Sequence, residues 1–262
     1  MSLVLAIRRG IAFLAFGCAA ASAHATPVDT TDHWVLAPTL SASHLDNGRD
    51  DWRGADLDVL YKASPSLRFG GDLERRQRGA RSDTLGTVSV SANPSREWEW
   101  HGALSVGPGA DFSARRGVSA GTEWRVSRTF SLLLDYRHLH FNTGSVHEIR
   151  PGVIVWFGDT TWMTLRYADG KAFGTTGYQS RLLRLDHIFA GQDRLTLVYA
   201  HGADPERDPQ LLGVLLTTAD LYAVTLRIPI NRTLALVVGA DYEDRKPYYT
   251  RTGALLGVAI HF

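Results

Sequence analysis

Residues 252–262 read TGALLGVAIHF and end the chain on an aromatic side chain. Successive side chains of a β-strand point to opposite sides, so every second residue here falls on one apolar face. That face consists of Ala254, Leu256, Val258, Ile260 and Phe262. A final strand of this kind is typical of bacterial outer-membrane β-barrels, where it serves as the insertion signal. We therefore expect the barrel-assembly machinery to recognise Phe262.

The same alternation recurs upstream, for example in residues 98–106 (WEWHGALSV) and 130–137 (FSLLLDYR). Alternation over about ten positions, broken by turn residues, is the signature of a transmembrane β-strand. About fourteen such segments are centred near Ala37, Leu57, Phe69, Val88, Trp100, Ala120, Leu132, Val153, Leu165, Leu185, Leu197, Val224, Leu236 and Val258. An even count suits a single-chain bacterial barrel. Weak patterning near Ala37 and Val88 leaves twelve strands as an alternative.

The links between these segments alternate in length. Short links lie at residues 63–65, 93–95, 126–128, 158–159, 191–193 and 229–231. Longer, more polar links lie at residues 45–51, 75–82, 108–115, 141–147, 168–178, 202–212 and 243–250. Outer-membrane barrels have short periplasmic turns and longer extracellular loops. The sequence thus predicts an all-β, up-and-down antiparallel transmembrane barrel with both termini in the periplasm. A soluble periplasmic β-sandwich would typically have shorter strands and no alternation of link length.

The N-terminus predicts secretion. Arg8 and Arg9 precede a short apolar run at residues 10–20, and residues 23–25 (AHA) form a cleavage site. The run is too short to cross a bilayer, which requires about 20 residues as a helix. We expect residues 1–25 to be a signal peptide, residues 26–262 to be the barrel domain, and the cell outer membrane to be its location. The alternative is a lipoprotein anchored at Cys18, although the preceding residues AFG fit a lipidation site poorly.

Four motifs stand in order in the second half of the chain: YRH at residues 136–138, VHEIRPGV at 146–153, WFGD at 156–159 and LLRLD at 182–186. Over residues 118–262 this set resembles the YaiO family of outer-membrane β-barrel proteins. The resemblance implies a barrel in the outer membrane. It implies neither an assigned reaction nor catalytic residues.

A barrel of this size has a polar interior, where function is expected. Strand parity predicts that the inward charged residues are Asp56, Asp58, Arg68, Asp72, Glu74, Glu97, Glu99, Glu123, Arg125, Asp135, Arg137, Glu148, Arg150, Arg166, Arg184, Asp186, Arg194, Arg227, Asp241 and Glu243. They form either a structural ion-pair network or an arginine-lined path for anionic solutes such as acidic saccharides. Under both interpretations the candidate solute-contact residues are Arg137, Arg150, Arg166, Arg184, Asp135 and Asp186. The predicted function is a non-enzymatic channel or surface protein.

The alternative is a barrel-embedded hydrolase acting on envelope lipids. Known enzymes of this kind place His and Ser two residues apart on one strand, yet no H-x-S occurs in the chain. Residues 145–147 (SVH) have the reverse order and lie at a predicted loop edge. A protease site is a further alternative, for which the candidates are His44, Asp46, Asp50 and Asp51. These residues share one loop, whereas a water-activating site normally draws on opposite walls of a barrel. We predict no catalytic residue, no cofactor and no metal site, since His138 and His140 lack a carboxylate at matching spacing.

The charge balance bears on partners. The chain has 28 Lys and Arg residues and 27 Asp and Glu residues, which gives a net charge of +1. A nearly neutral chain lacks the basic excess of a nucleic-acid-binding protein. A local basic group, Arg75, Arg76, Arg78 and Arg81, is expected in an extracellular loop, in contact with outer-membrane lipids and lipopolysaccharide.

Overall fold

The computed structural model describes residues 33–46, 48–174, 176–190, 192–208, 213–245 and 247–262, with backbone alone for residues 176, 204–208 and 213–216. The predicted signal peptide and Cys18 lie outside these ranges. The strands are β1 Trp34–Leu45, β2 Trp52–Ser64, β3 Leu67–Arg78, β4 Arg81–Ala92, β5 Trp98–Val106, β6 Arg116–Arg125, β7 Phe130–Phe141, β8 Gly144–Trp156, β9 Thr161–Ala172, β10 Thr176–Ile188, β11 Arg194–Asp208, β12 Gly213–Pro229, β13 Leu234–Arg245 and β14 Tyr249–His261. In the described ranges, no helix is long and apolar enough to cross a membrane.

The fourteen strands form one closed antiparallel barrel in which each strand pairs with its neighbours in sequence. β1 closes the ring by pairing with β14. At this seam the Trp34 N–H donates to the Phe262 carbonyl at 3.2 Å, and the Phe262 N–H donates to the Trp34 carbonyl at 3.0 Å. The predicted fold is confirmed, and the twelve-strand alternative is wrong.

The two poorly patterned segments are β1 and β4. Pro38 interrupts the pattern of β1, and the inward positions of β4 carry small hydroxyl residues such as Ser89 and Ser91. These side chains weaken the contrast between the two faces without preventing strand pairing. β4 nevertheless pairs with β3 over its whole length.

The outward face of the barrel is apolar and the inward face is polar. The Leu104 side chain points outward with 58% of its surface exposed, whereas the inward Asp186 is fully buried. This inversion of the usual soluble pattern suits a protein whose outer surface contacts lipid.

Two aromatic belts bound this apolar surface. The end of the barrel that carries Trp34 and Phe262, here called the terminal end, has an exposed belt of Trp34, Trp98, Trp124, Phe157, Phe189 and Phe262. The opposite end, called the far end, has an exposed belt of Tyr136, Tyr199, Tyr222 and Tyr242. β7 gives the spacing between the belts. Phe130 lies at its terminal end and Tyr136 lies six residues further on, about 20 Å along the strand. Trp52 belongs to neither belt and faces the lumen, where it packs on Tyr249 with ring centroids 5.9 Å apart.

Several links at the far end are shorter than the sequence pattern suggested, because the strands continue into them. β3 and β4 turn at residues 79–80, and residues 173–174 turn after β9. Beyond the lipid-facing zone both faces of a strand are polar, so the strands there resemble loops in sequence. The basic group is therefore divided: Arg75 faces outward, while Arg76, Arg78 and Arg81 face the lumen.

The link between β5 and β6, residues 107–115, folds inward at the far end. The Asp83 carboxylate accepts hydrogen bonds from the backbone N–H groups of Asp111, Phe112 and Ser113 at 2.9, 3.0 and 2.6 Å. Phe112 is buried, and the Arg78 guanidinium lies 4.7 Å from its ring centroid. This link narrows the far mouth of the barrel.

Candidate functional site

Glu148 is the centre of a buried cluster on β7 and β8. Arg137 lies directly opposite Glu148 in the strand pair, and Arg150 follows two residues later on the same face. The Glu148 carboxylate accepts from Arg137 Nε at 2.9 Å and from Arg150 Nη2 at 2.7 Å. With its side chain 1% exposed, this carboxylate needs both charged donors to offset the cost of its burial.

Asp135 forms a second cluster beside the first. Its carboxylate receives a hydrogen bond from Arg166 of β9 and lies 2.8 Å from the His101 Nε2 of β5. His101 can reach across β6 because Gly121 stands between them without a side chain. A Cβ atom at Gly121 would lie 2.2 Å from the Asp135 carboxylate. The glycine thus permits a contact between strands that are not neighbours.

Asp186 holds a third cluster, closer to the terminal end. Its fully buried carboxylate accepts from the Nε atoms of Arg184 and Arg194 at 2.7 and 3.1 Å, and from Thr196 Oγ1 at 2.7 Å. The Arg194 guanidinium also lies 5.0 Å from the Trp162 ring centroid. Forked guanidinium groups and hydroxyl donors satisfy this carboxylate on several sides.

The inward wall of β7–β12 carries an excess of positive charge. Its described side chains include six arginines and three carboxylates, and each carboxylate has two cationic partners. The arginines are Arg137, Arg150, Arg166, Arg184, Arg194 and Arg227, and the carboxylates are Asp135, Glu148 and Asp186. These inward arginines of β7–β12, here called the arginine wall, are interleaved with acids.

A separate group of acidic side chains lies on β2 and β3, outside the β7–β12 wall. Asp58 lies directly opposite Asp72, and Asp56 precedes Asp58 on the same inward face. One carboxylate oxygen from each of these three residues lies within 4.8 Å of the others. Oxygen atoms so arranged suit a hard divalent cation such as Ca²⁺ or Mg²⁺. Sequence reasoning placed these acids in the lumen but missed the grouping, which depends on the register between the two strands.

The acidic group and the arginine wall meet at one interior cavity of about 300 Å³. Asp58 and Asp72 line it on one side, and Arg150 and Arg166 line it on the other. Small hydroxyl side chains of β4, such as Ser89, contribute to its surface. A solute in this space would contact groups of both signs.

Two apolar clusters also lie inside the barrel, mainly on β7–β10. At the far end, Ala114, Phe141, Val146, Ala172 and Tyr178 pack together. Towards the terminal end, Leu133, Ile154 and Trp162 pack together. The cavity itself is lined by residues of β1–β9.

The structure places all six sequence-predicted site residues on the inward face. Asp135, Arg137, Arg150 and Arg166 line the cavity, whereas Arg184 and Asp186 belong to the separate third cluster. Their contact with a solute stays a prediction. Glu97, also expected inside, lies in the exposed link between β4 and β5. The site residues missed as candidates are Glu148, His101 and Arg194, whose roles follow from partners on other strands.

The hydrolase alternative receives one specific contact. Ser145 and His147 lie near the start of β8, next to the turn at residues 142–143, and both face outward. The Ser145 hydroxyl lies 3.0 Å from His140 Nδ1, which is within reach for a nucleophile and its base. In the part of the chain that the structure describes, no carboxylate orients the His140 ring. The pair lacks the third group that catalysis of this type normally uses.

Comparisons with known proteins identify the fold. No family model and no curated protein matches the chain. Among solved structures, the CymD monoaromatic hydrocarbon channel gives a TM-score of 0.62 at 9% identity, over 88% of each chain. The outer membrane protein Omp33 of Acinetobacter baumannii gives 0.53 at 10% identity, over 88% of this chain and 98% of that one.

Salmonella typhi OmpF gives a TM-score of 0.50 at 10% identity, over 87% of this chain and 97% of that one. At such identities the likeness extends to the fold alone. The chain has the closed-barrel fold of outer-membrane porins and channels.

Proposed function

We propose that this chain is an outer-membrane channel without enzymatic activity, which passes polar or anionic solutes, such as acidic saccharides, through a narrow lumen. The observation that carries the proposal is the interior cavity with Asp58 and Asp72 on one side and Arg150 and Arg166 on the other. Charged side chains that line a pore select solutes by their charge. The excess of arginine on β7–β12 favours anions.

The remaining elements of the proposal concern identity and location. The ordered motifs at residues 136–138, 146–153, 156–159 and 182–186 support membership of the YaiO type. Residues 1–25 would direct secretion and be removed, and residues 26–262 would then insert in the outer membrane. The apolar outer surface between two aromatic belts supports this location.

Single-channel recording in a planar bilayer tests the proposal. The refolded chain should give conductance steps, and its reversal potential in a salt gradient should show a preference for anions. Arg166→Gln should lower the anion-to-cation permeability ratio, and Asp58→Asn should raise it. Each shift should be several-fold, because a unit charge about 4 Å from a passing ion contributes about 1 kcal/mol in water.

Arg128→Gln is the matched control, since Arg128 is exposed in the turn between β6 and β7. It removes the same charge outside the lumen and should leave the ratio unchanged. A correctly inserted barrel without conductance would overturn the channel. If that silent barrel cleaved phospholipid and His140→Ala abolished the cleavage, the hydrolase alternative would replace it.

A further inference from the structure

A basic patch lies on the outside of the barrel at the far end. It consists of Arg116 on β6, His138 and His140 on β7, His147 on β8 and Lys171 on β9. Strand register brings these residues together, because His147 lies directly opposite His138 on one side and Lys171 on the other. Arg116 lies directly opposite His140. With strands about 4.8 Å apart, the patch is about 14 Å wide.

The two permanent charges of the patch are not neutralised within the protein. In the described residues, neither Arg116 nor Lys171 forms an ion pair, and both side chains are exposed. Among the outward positions of β6–β9, Asp169 is the one acidic residue. Four strands thus present a cationic surface next to an otherwise apolar one.

The imidazole rings of the patch are held in place. His138 and His147 stack with ring centroids 4.2 Å apart, and the Tyr136 hydroxyl lies 3.1 Å from His147 Nδ1. His140 is fixed by the Ser145 hydroxyl. An ordered array of N–H groups beside two cations can donate several hydrogen bonds to one polyanionic group.

The position of the patch indicates its partner. Tyr136 belongs to the far aromatic belt, and interfacial tyrosines mark the level of the lipid head groups. His138 and His140 follow Tyr136 on the same face of β7, so they lie just outside that belt. A cationic surface at this level faces head-group phosphates and not acyl chains.

We propose that the basic patch binds the phosphate groups of a phosphorylated glycolipid in the outer leaflet and fixes that lipid against β6–β9. This inference rests on the proposed outer-membrane location. It moves the expected lipid contact from the group at residues 75–81, of which three arginines face the lumen, to β6–β9. Arg116 and Lys171 supply charge, and the histidines supply donors whose number rises when they are protonated.

Native mass spectrometry of the full refolded barrel in phosphatidylcholine nanodiscs can test this site with diphosphorylated lipid A as the probe. The variant R116A/K171A should bind this lipid on the order of 30-fold more weakly, at about a factor of five for each basic residue near the surface. H138A/H147A, which keeps both permanent charges, should weaken binding to a smaller extent. Heat-dependent migration in a gel confirms that each variant is folded.

R128A/R232A provides a matched control, because both arginines are exposed in turns at the terminal end. Equal loss in the control and in R116A/K171A would overturn the patch, since it would reveal general charge attraction. Equal binding of fully dephosphorylated lipid A, or complete displacement by millimolar inorganic phosphate, would overturn the assignment to a lipid phosphate. Conductance separates the two proposals. R116A/K171A should conduct like the parent. A parent barrel that binds lipid A without conducting would contradict the proposed channel but not the proposed lipid site.

Discussion

Replacement of Asp186 with alanine should lower the free energy of unfolding of the barrel by about 3–5 kcal/mol, the usual cost of breaking a buried ion pair from one side. The substitution leaves the guanidinium groups of Arg184 and Arg194 close together without the carboxylate that they share. Guanidinium titration of the protein in lipid vesicles, followed by the fluorescence of its seven tryptophans, measures this loss.

Asp159→Ala is the control for Asp186→Ala. Asp159 is exposed in the turn between β8 and β9, so its removal should change the free energy of unfolding by less than about 0.5 kcal/mol. Simultaneous replacement of Asp186, Arg184 and Arg194 by leucine should recover much of the loss, because no buried charge then lacks a partner. If Asp186→Ala cost less than about 1 kcal/mol, water and not the carboxylate would stabilise these arginines.

Deletion of Phe262 should remove most of the folded protein from the outer membrane and send the chain to periplasmic proteolysis. The deletion removes the two backbone hydrogen bonds to Trp34 at the seam, together with an aromatic ring that is 58% exposed. Quantification of the chain in outer-membrane and periplasmic fractions gives the result.

Two substitutions separate the ring of Phe262 from its backbone. Phe262→Ala keeps the backbone bonds to Trp34, and Phe262→Trp keeps an aromatic ring. If the ring is the insertion signal, the alanine variant should be as defective as the deletion, while the tryptophan variant should assemble. Normal outer-membrane levels of the truncated chain would count against the proposed assembly route.

The strands could be predicted from the sequence wherever lipid contact imposes a contrast between faces. β7 and β14 show this contrast clearly, since Leu132 and Leu134 on β7 and the outward residues from Ala254 to Ile260 on β14 are all apolar. The extent of β3 and β4 at the far end could not be predicted, because outside the lipid zone the outward Arg75 is as polar as the inward Arg76.

The inward orientation of the site residues could be predicted from the sequence, but their ion-pair partners could not. Parity along each strand is sufficient to place Asp135 and Asp186 in the lumen. Their partners depend on the register between strands, which determines the residues of other strands that lie at the same level along the barrel axis. The contact of Asp135 with His101 also depends on the absence of a side chain at Gly121, a feature that no local pattern reveals.

The seam between β1 and β14 has a consequence for the order of the chain. Because Trp34 and Phe262 lie side by side, a short linker could join them, and the chain could be opened instead at a turn of the terminal end such as residues 126–129. Every strand of such a circular permutant would keep both of its neighbours. The permutant should be as stable as the parent once folded, yet it should assemble poorly in cells, because its new final strand, β6, ends on Arg125. The pairing of the strands would then determine the stability of the barrel, and the position of the chain ends would determine whether it assembles in the membrane.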